Sequence, residues 1–397
     1  MSMNRMRIAL ALLLGTAWLG AAGPRGLAAQ PAPLGPEVEL PGDVFPTKPL
    51  LAVQPGGDYV VAWDYESDPL DAVYYRYVAA GSEPENLGPT PIGSPERYPA
   101  LDAVTATPKG FDLLWHVTDL DDKPTAFYRG HLNLQGEPDG EPVRVGGAGT
   151  DWVWQVRGNG FMAGWALPKV HGIAARRLTS SGQRTGPELR LNSRPVDAPS
   201  PAVLAVADGG FVAVWLGTVP GRKPTQALRA RRFSPAGKPL GPDFDVTTIP
   251  PGVAAPDLDP HFEVAAAPGG GFAVAWLLDT TLYLRFFNAA GKALGPAVPV
   301  TAEDIDSLAS MAFDQAGNLL LLWVQFLDTQ DLRLQLLDSH GAPLGPPEGV
   351  RSAASDDFPF PWQGSVAWAG DSWLVTWVAA IPVQDASGVF VRRFAGH

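Results

Sequence analysis

An all-β fold made of seven copies of one four-stranded unit is predicted by three features of the sequence. A Gly-containing turn that leads into an apolar run ending in Trp occurs seven times, as GGDYVVAW, KGFDLLW, GNGFMAGW, GGFVAVW, GGGFAVAW, GNLLLLW and GDSWLVTW. The closing residues Trp63, Trp115, Trp165, Trp215, Trp276, Trp323 and Trp377 follow one another at 52, 50, 50, 61, 47 and 54 residues, a period that fills the chain and leaves no place for a second domain. With 44 Gly and 41 Pro among 397 residues, the punctuation favours short strands and tight turns over helices. Four short antiparallel strands in each unit of this length are the signature of a propeller blade. The expected architecture is therefore a seven-bladed β-propeller, four antiparallel strands per blade, with the ring closed by the N-terminal strand completing the last blade.

Taken in order, the first segment reads as a processing signal. Arg5 and Arg7 precede an uncharged, mainly apolar run from Ile8 to Ala22, followed by Gly-Pro and small residues up to Ala28 and Ala29. The run is shorter than the ~20 residues a helix needs to cross a bilayer, so a secretory signal peptide over 1–29 and a single propeller domain over 30–397 are expected, with no stable membrane insertion. The expected location is extracellular or periplasmic. Cys is absent, which excludes disulfides, thiolate metal sites and a Cys-linked lipid. A composition of 46% hydrophobic and 18% charged residues excludes a disordered chain. The formal charge of −12 becomes −15 without the three arginines of the signal. Such a chain repels phosphate, which argues against nucleic acid as a partner.

The fourth copy shows the blade best. Residues 199–206 (PSPAVLAV) form the first strand, Asp208-Gly209-Gly210 turns the chain, and the second strand ends at Trp215. LRARRF over 228–233 is the third strand, Pro235-Ala236-Gly237 turns it, and Lys238 to Val246 is the fourth. A Gly follows each third-strand anchor by four residues: Tyr77 to Gly81, Leu132 to Gly136, Leu178 to Gly182, Phe233 to Gly237, Phe287 to Gly291 and Leu337 to Gly341. The seventh copy stops at Phe394 before any fourth strand, whereas PLGPEVEL at 33–40 matches PLGPDFDV at 239–246 in character. The missing strand is thus expected at the N-terminus, where it also removes an open sheet edge. Arg76, Arg177, Arg232 and Arg393, with Arg176, Arg231, Arg285 and Arg392 one step earlier, are expected to pair across strands with acids such as Glu39, Glu188 and Asp245.

These GGFVAVW, LRARRF and AGKPLG phrases resemble those of secreted bacterial proteins built from Trp-terminated propeller repeats. The resemblance covers the whole chain after the signal and implies the propeller fold, with no defined activity attached. The Asp-box of sialidases, the D-x-D-x-D-G calcium loop and the Gly-His to Trp-Asp pairing of WD repeats do not occur.

Loops after each Trp and loops leading into each first strand are expected on one face, the top, which is acidic. An acid stands just before each first strand: Asp43, Glu96, Asp151, Asp197, Asp259, Asp306 and Asp357. Ringed round the channel mouth, these would attract a cation or a cationic or polyhydroxylated ligand, and hard oxygen ligands of this kind suit calcium. Turn chemistry, in which each acid accepts backbone hydrogen bonds, explains the repetition equally well. The repeat tryptophans are expected between blades. Trp152 and Trp154 flank the start of the third first strand, while Tyr65 and Trp362, near acidic loops, can stack on sugar rings. His116, His171 and His261 can face the same mouth. No H-E-x-x-H or G-x-S-x-G phrase exists. The expected function is a secreted, monomeric, non-catalytic binding module with a carbohydrate or protein partner and no cofactor beyond calcium. The alternatives are a glycan-acting hydrolase or lyase using top-face carboxylates and a structural surface or matrix component.

Overall fold

The computed structural model describes residues 31–40, 46–64, 72–82, 90–93, 99–119, 123–147, 149–156, 160–205, 210–221, 225–249, 262–278, 280–300, 305–326, 330–351, 361–381 and 386–396. Within them lie seven four-stranded antiparallel sheets. Blade 1 is Leu50–Val53, Tyr59–Trp63, Ala72–Val78 and Thr90–Gly93; blade 2 is Pro99–Thr107, Gly110–Thr118, Pro124–Leu132 and Val143–Gly146. Blade 3 is Trp152–Val156, Gly160–Leu167, Gly172–Leu178 and Arg184–Arg190; blade 4 is Asp197–Ala205, Phe211–Val219, Thr225–Phe233 and Phe244–Thr248. Blade 5 is Phe262–Ala266, Phe272–Leu278, Thr281–Phe287 and Val298–Pro299; blade 6 is Ile305–Phe313, Leu319–Phe326, Gln330–Leu337 and Glu348–Gly349. Blade 7 is Pro361–Trp368, Ser372–Ile381 and Ala386–Ala395, with Val38–Leu40 as its fourth strand. No helix among the described residues is long and apolar enough to cross a membrane.

First strands touch their neighbours right round the ring, and that of blade 1 meets both blade 2 and blade 7. The N-terminal strand closes the circle as expected: Val38 pairs with Val391, Glu39 with Phe390 and Leu40 with Val389. Pro33 then bridges to Phe394 as Pro239 bridges to Phe233 in blade 4, so the displaced strand reproduces the register of the continuous ones.

The core follows from the second strands. Each alternates two sets of apolar residues, and with neighbouring blades on both sides both sets are buried. In blade 4, Phe211, Ala213 and Trp215 face blade 3 while Val212 and Val214 face blade 5. The described residues form seven apolar clusters, one at each blade junction. Trp63, Trp115, Trp215, Trp276, Trp323 and Trp377 are at most 4% exposed, each in the cluster shared with the preceding blade. Trp165 is the exception: it is half-buried and absent from the blade 2 to blade 3 cluster.

Two expectations need correction. Outside blade 1, whose second strand does end at Trp63, second strands run past Trp: in blade 4 the strand continues to Val219, which pairs with Thr225, because the third strand begins early enough to keep the ladder going. The arginines also choose other partners. Arg231, Arg285 and Arg392 donate from Nε to the carbonyls of Gly241, Gly295 and Gly35. From Nη1 they reach the carbonyls of Leu191, Val246 and Val350 in the preceding blade. Each guanidinium lies over the Phe two residues on, 5.5–5.7 Å from its centroid. The Gly carbonyls sit where the chain has left the ladder and need donors, so a planar guanidinium at the seam satisfies them and joins two blades. Arg229 is the residue that pairs across the sheet with Asp245, at 3.0 Å.

Turns between third and fourth strands are uniform. Gly237 takes φ of +82°, open to Gly at no steric cost, and the Ser234 hydroxyl accepts the Lys238 N–H at 3.1 Å. Asn133, Thr179, Asn288 and Asp338 accept the equivalent bond in their own blades.

Candidate functional site

The beginning of each first strand pairs with the end of the second, as Leu50 does with Ala62 and Pro99 with Val117. Loops after Trp and loops into first strands therefore share the top face. Of the acids assigned to it, Asp151 and Asp197 have described side chains. Asp151 accepts the N–H of Ala166, a second-strand residue, at 2.7 Å, a bond across the sheet and not one within its own turn. Asp197 bonds to His171. Asp306 and Trp362 occupy their strands, each at a bulge where one residue has no partner opposite. Asp43, Glu96, Asp259, His261 and Asp357, together with Tyr65, lie outside the described residues. Among the described residues no three His, Asp or Glu side chains converge as a metal site.

A histidine-carboxylate pair stands on blade 2. Leu101 pairs with Trp115 and Ala103 with Leu114, leaving Asp102 as the extra residue of a bulge on an innermost strand, a device that re-aims a side chain. Its carboxylate lies 2.8 Å from His116 Nδ1. The adjacent Asp64, 4% exposed, accepts bonds from the Thr47 hydroxyl and the Leu101 N–H. Burial pushes the Asp64 and Asp102 carboxyls up, and the bonds they accept offset this only in part. Burial alone would lower His116, but the bond to Asp102 and the charges of Asp102 and Asp64 outweigh it, so the imidazole is raised.

A second pair, His171 with Asp197, bridges blades 3 and 4. Both side chains are well exposed, at 49% and 39%. His171 has φ of +50° and Ala198 has φ of +42°, and these are the non-Gly residues with positive φ among those described. Each such residue costs roughly 1–2 kcal/mol. The linker beneath is tied down to hold them. Asn192, 1% exposed, accepts the Ile173 N–H at 2.9 Å and donates to the carbonyls of His171 at 3.0 Å and Arg194 at 2.7 Å. Arg194 in turn pairs with Asp243 at 3.3 Å and Asp245 at 2.8 Å, and the Val196 N–H reaches the His171 carbonyl at 3.0 Å.

Two aromatic rings border the same junction. Trp152 and Trp154, both half-buried, stack at 6.1 Å and 16° and lie against the cluster that contains Val196. Room for Trp154 comes from Gly164, where a Cβ would fall 2.5 Å from ring carbon Cζ3. Other copies carry Ala62, Leu114, Val214, Ala275, Leu322 or Thr376 at this place.

Across the channel, Lys48 of blade 1 pairs with Glu263 of blade 5 at 3.3 Å. This chord leaves blades 2, 3 and 4 on one side of the mouth and 6 and 7 on the other. The two top-face His-Asp pairs and the Trp pair lie on the larger side. Sequence reasoning missed Asp102 and Glu263. Their signal was a charge inside an otherwise apolar first strand, LDAV and FEVAA.

The sequence matches no protein-family model and no curated protein. Its fold is similar to that of solved structures at low identity. The polysaccharide lyase Uly1 superposes with a TM-score of 0.56 at 9% identity, covering 91% of this chain and 99% of its own. An ulvan lyase of polysaccharide lyase family PL25, bound to a GlcA–Rha3S unit, gives 0.51 at 8% identity, covering 90% and 96%. The β-propeller domain of the Trilobed protease from Pyrococcus furiosus, described as having an open velcro topology, gives 0.50 at 9% identity, covering 88% and 93%. These likenesses establish the propeller fold; in this chain the circle is closed by the N-terminal strand.

Proposed function

We propose that this protein is an exported binding module whose ligand sits on the top face where blades 3 and 4 meet. The supporting observation is the concentration of left-handed, non-Gly backbone at His171 and Ala198, on either side of an exposed His-Asp pair. Backbone in that region persists where the surroundings over-determine it, and such strain clusters at ligand sites.

The test is binding to an array of neutral, amino and uronate oligosaccharides and basic peptides, repeated with Asp197→Asn and Ala198→Gly. Retention of at least one probe class is expected, lost in Asp197→Asn at an unchanged unfolding midpoint. Gly relieves the left-handed strain while adding chain entropy, so Ala198→Gly is expected to hold or raise stability by up to ~1 kcal/mol and to weaken binding. A variant that binds as well as the parent, or a parent that retains no probe, contradicts the reading.

A second reading is favoured by the Asp102–His116 pair, which holds its proton to higher pH than free groups do. Propellers of this shape include polysaccharide lyases, and a paired imidazole can move a proton in β-elimination or hydrolysis. Release of unsaturated uronate from a polyuronate, abolished in His116→Gln, would establish it; no release by the parent protein excludes it for that substrate.

A further inference from the structure

The Asp102–His116 pair is tied to a third ionisable residue that is buried away from solvent. The residue after the repeat Trp is uncharged in five copies, as Ala166, Leu216, Leu277, Val324 and Val378, but is Asp64 in blade 1 and His116 in blade 2. Successive residues of a strand face opposite ways. Trp63 lies in the blade 7 to blade 1 cluster and Trp115 in the blade 1 to blade 2 cluster. Asp64 is therefore turned toward blade 2, and His116 toward blade 3, where its ring lies 5.6 Å from that of Phe127. The two positions meet at the bulge: the Leu101 N–H donates to Asp64, and the next residue, Asp102, bonds to His116. Asp102 has no ladder partner opposite to fix it. What holds it is a charge-assisted bond from the adjoining N–H to a carboxylate of another blade. That carboxylate is itself anchored, because the Thr47 hydroxyl donates to it and the Thr47 N–H donates to the Asp64 carbonyl at 2.9 Å. Asp64 is 4% exposed, whereas the Asp102 and His116 side chains keep 28% and 21% of their surface. Other charges on the surrounding elements are engaged elsewhere: Lys48 with Glu263, Asp151 with the Ala166 N–H and Arg129 with Asp112.

Resting on the second reading above, in which the Asp102–His116 pair moves a proton, we propose that Asp64 is the positioning residue of that pair: by holding the Leu101 N–H across the blade 1 to blade 2 seam, it fixes the bulge that aims Asp102 at His116. Asp64 itself reaches no substrate atom, because it is buried. It acts through Asp102, whose carboxylate accepts from His116 Nδ1, orients the ring and leaves Nε2 to exchange a proton with the substrate. The charge of Asp64 also favours the imidazolium directly, so the experiment has to separate charge from positioning.

The experiment is NMR titration of the His116 ring in the full protein, with release of unsaturated uronate from a polyuronate followed over pH in the same samples. In Asp64→Ala the bulge loses its anchor, and the His116 midpoint is expected to fall to that of Asp102→Asn. Asp64→Asn keeps an acceptor for the Leu101 N–H but no charge, and is expected to restore most of the parent midpoint. The double variant Asp64→Ala/Asp102→Asn is expected to titrate like Asp102→Asn alone, as residues acting through one another do. Release should fall roughly tenfold or more in Asp64→Ala, within the range that aligned acid–base catalysis contributes, and its pH profile should move with the ring. Should Asp64→Ala unfold, Thr47→Val keeps the carboxylate but removes one of its anchors, and a fall in the midpoint is again expected although no charge has changed. Equal falls in Asp64→Ala and Asp64→Asn mean that charge alone acts and overturn positioning, as does an unaltered midpoint in folded Asp64→Ala or, in its place, in Thr47→Val. If the ring titrates as expected but the parent releases no uronate, Asp64 still positions the pair and the proton-moving reading falls for that substrate.

Discussion

Blades 3 and 4 are copies of one repeat, yet they differ at nearly every point where the repeat could be relaxed. In blade 4 the residue before Trp is Val214, Trp215 is fully buried, and Arg231 joins the Gly241 carbonyl to blade 3. In blade 3 the residue before Trp is Gly164, Trp165 is half-buried, and the buried Nε of Arg176 has no hydrogen-bond partner. Its second and third strands meet through the tight Pro168–Val170 turn and the left-handed His171. Blade 4 shows what the repeat needs in order to pack. Blade 3 gives up part of that packing, and its aromatic and ionisable groups gather where it does so, at the place proposed for a site on the repeated scaffold.

The largest test of this contrast is a pair of truncations. Trp215→Ala should cost about 3–5 kcal/mol, as expected for a large fully buried ring, and Trp165→Ala only about 1–2 kcal/mol. Denaturant midpoints read the difference, and equal losses would mean that blade 3 is packed as tightly as blade 4. Next comes Gly164→Val, which restores the blade 4 residue. Overpacking against Trp154 should destabilise by about 1–3 kcal/mol, and a stabilised variant would show that the gap has no occupant. Of similar size, Arg231→Met should cost roughly 1–3 kcal/mol by stranding backbone acceptors at the seam, against a near-neutral Arg176→Met in blade 3.

The smallest effects concern pH. His116 is raised above its ordinary 6.5, so it adds stability that is fully present below the unfolded pKa and fades as pH rises through the folded one. NMR titration of the ring should show the raised value, with a fall in Asp102→Asn; an unchanged titration would dissociate the pair. Asp245 behaves oppositely. Burial raises it, but bonds and charges from Arg194 and Arg229 outweigh that and lower it, so its contribution is present above the unfolded value of 3.8 and is lost as pH falls through the folded value.

Fold and site were legible to different degrees for a physical reason. Packing repeats with the blade, so Trp spacing, the Gly four residues after Phe233 and the match of 33–40 to 239–246 specify the ring and its closure in the sequence alone. The Arg231 partners were misread because backbone carbonyls carry no sequence label, whereas Asp245 does. Asp102 escaped notice because a bulge, invisible to strict alternation, turned it. The His171–Asp197 pair depends on two left-handed residues, His171 and Ala198, that composition does not announce. Recurrence marks the acids as a class, and Asp151 shows that a recurring acid serves the sheet itself by accepting a second-strand N–H.

The central claim, that function resides where blade 3 departs from the repeat, is tested most directly by hydrogen–deuterium exchange of the full protein with and without the oligosaccharide or basic peptide that it retains from the array. Protection is predicted over 152–156 and 167–198, with blades 5 to 7 unchanged. Protection confined to blades 5 to 7, or none at a saturating concentration of that probe, would contradict it.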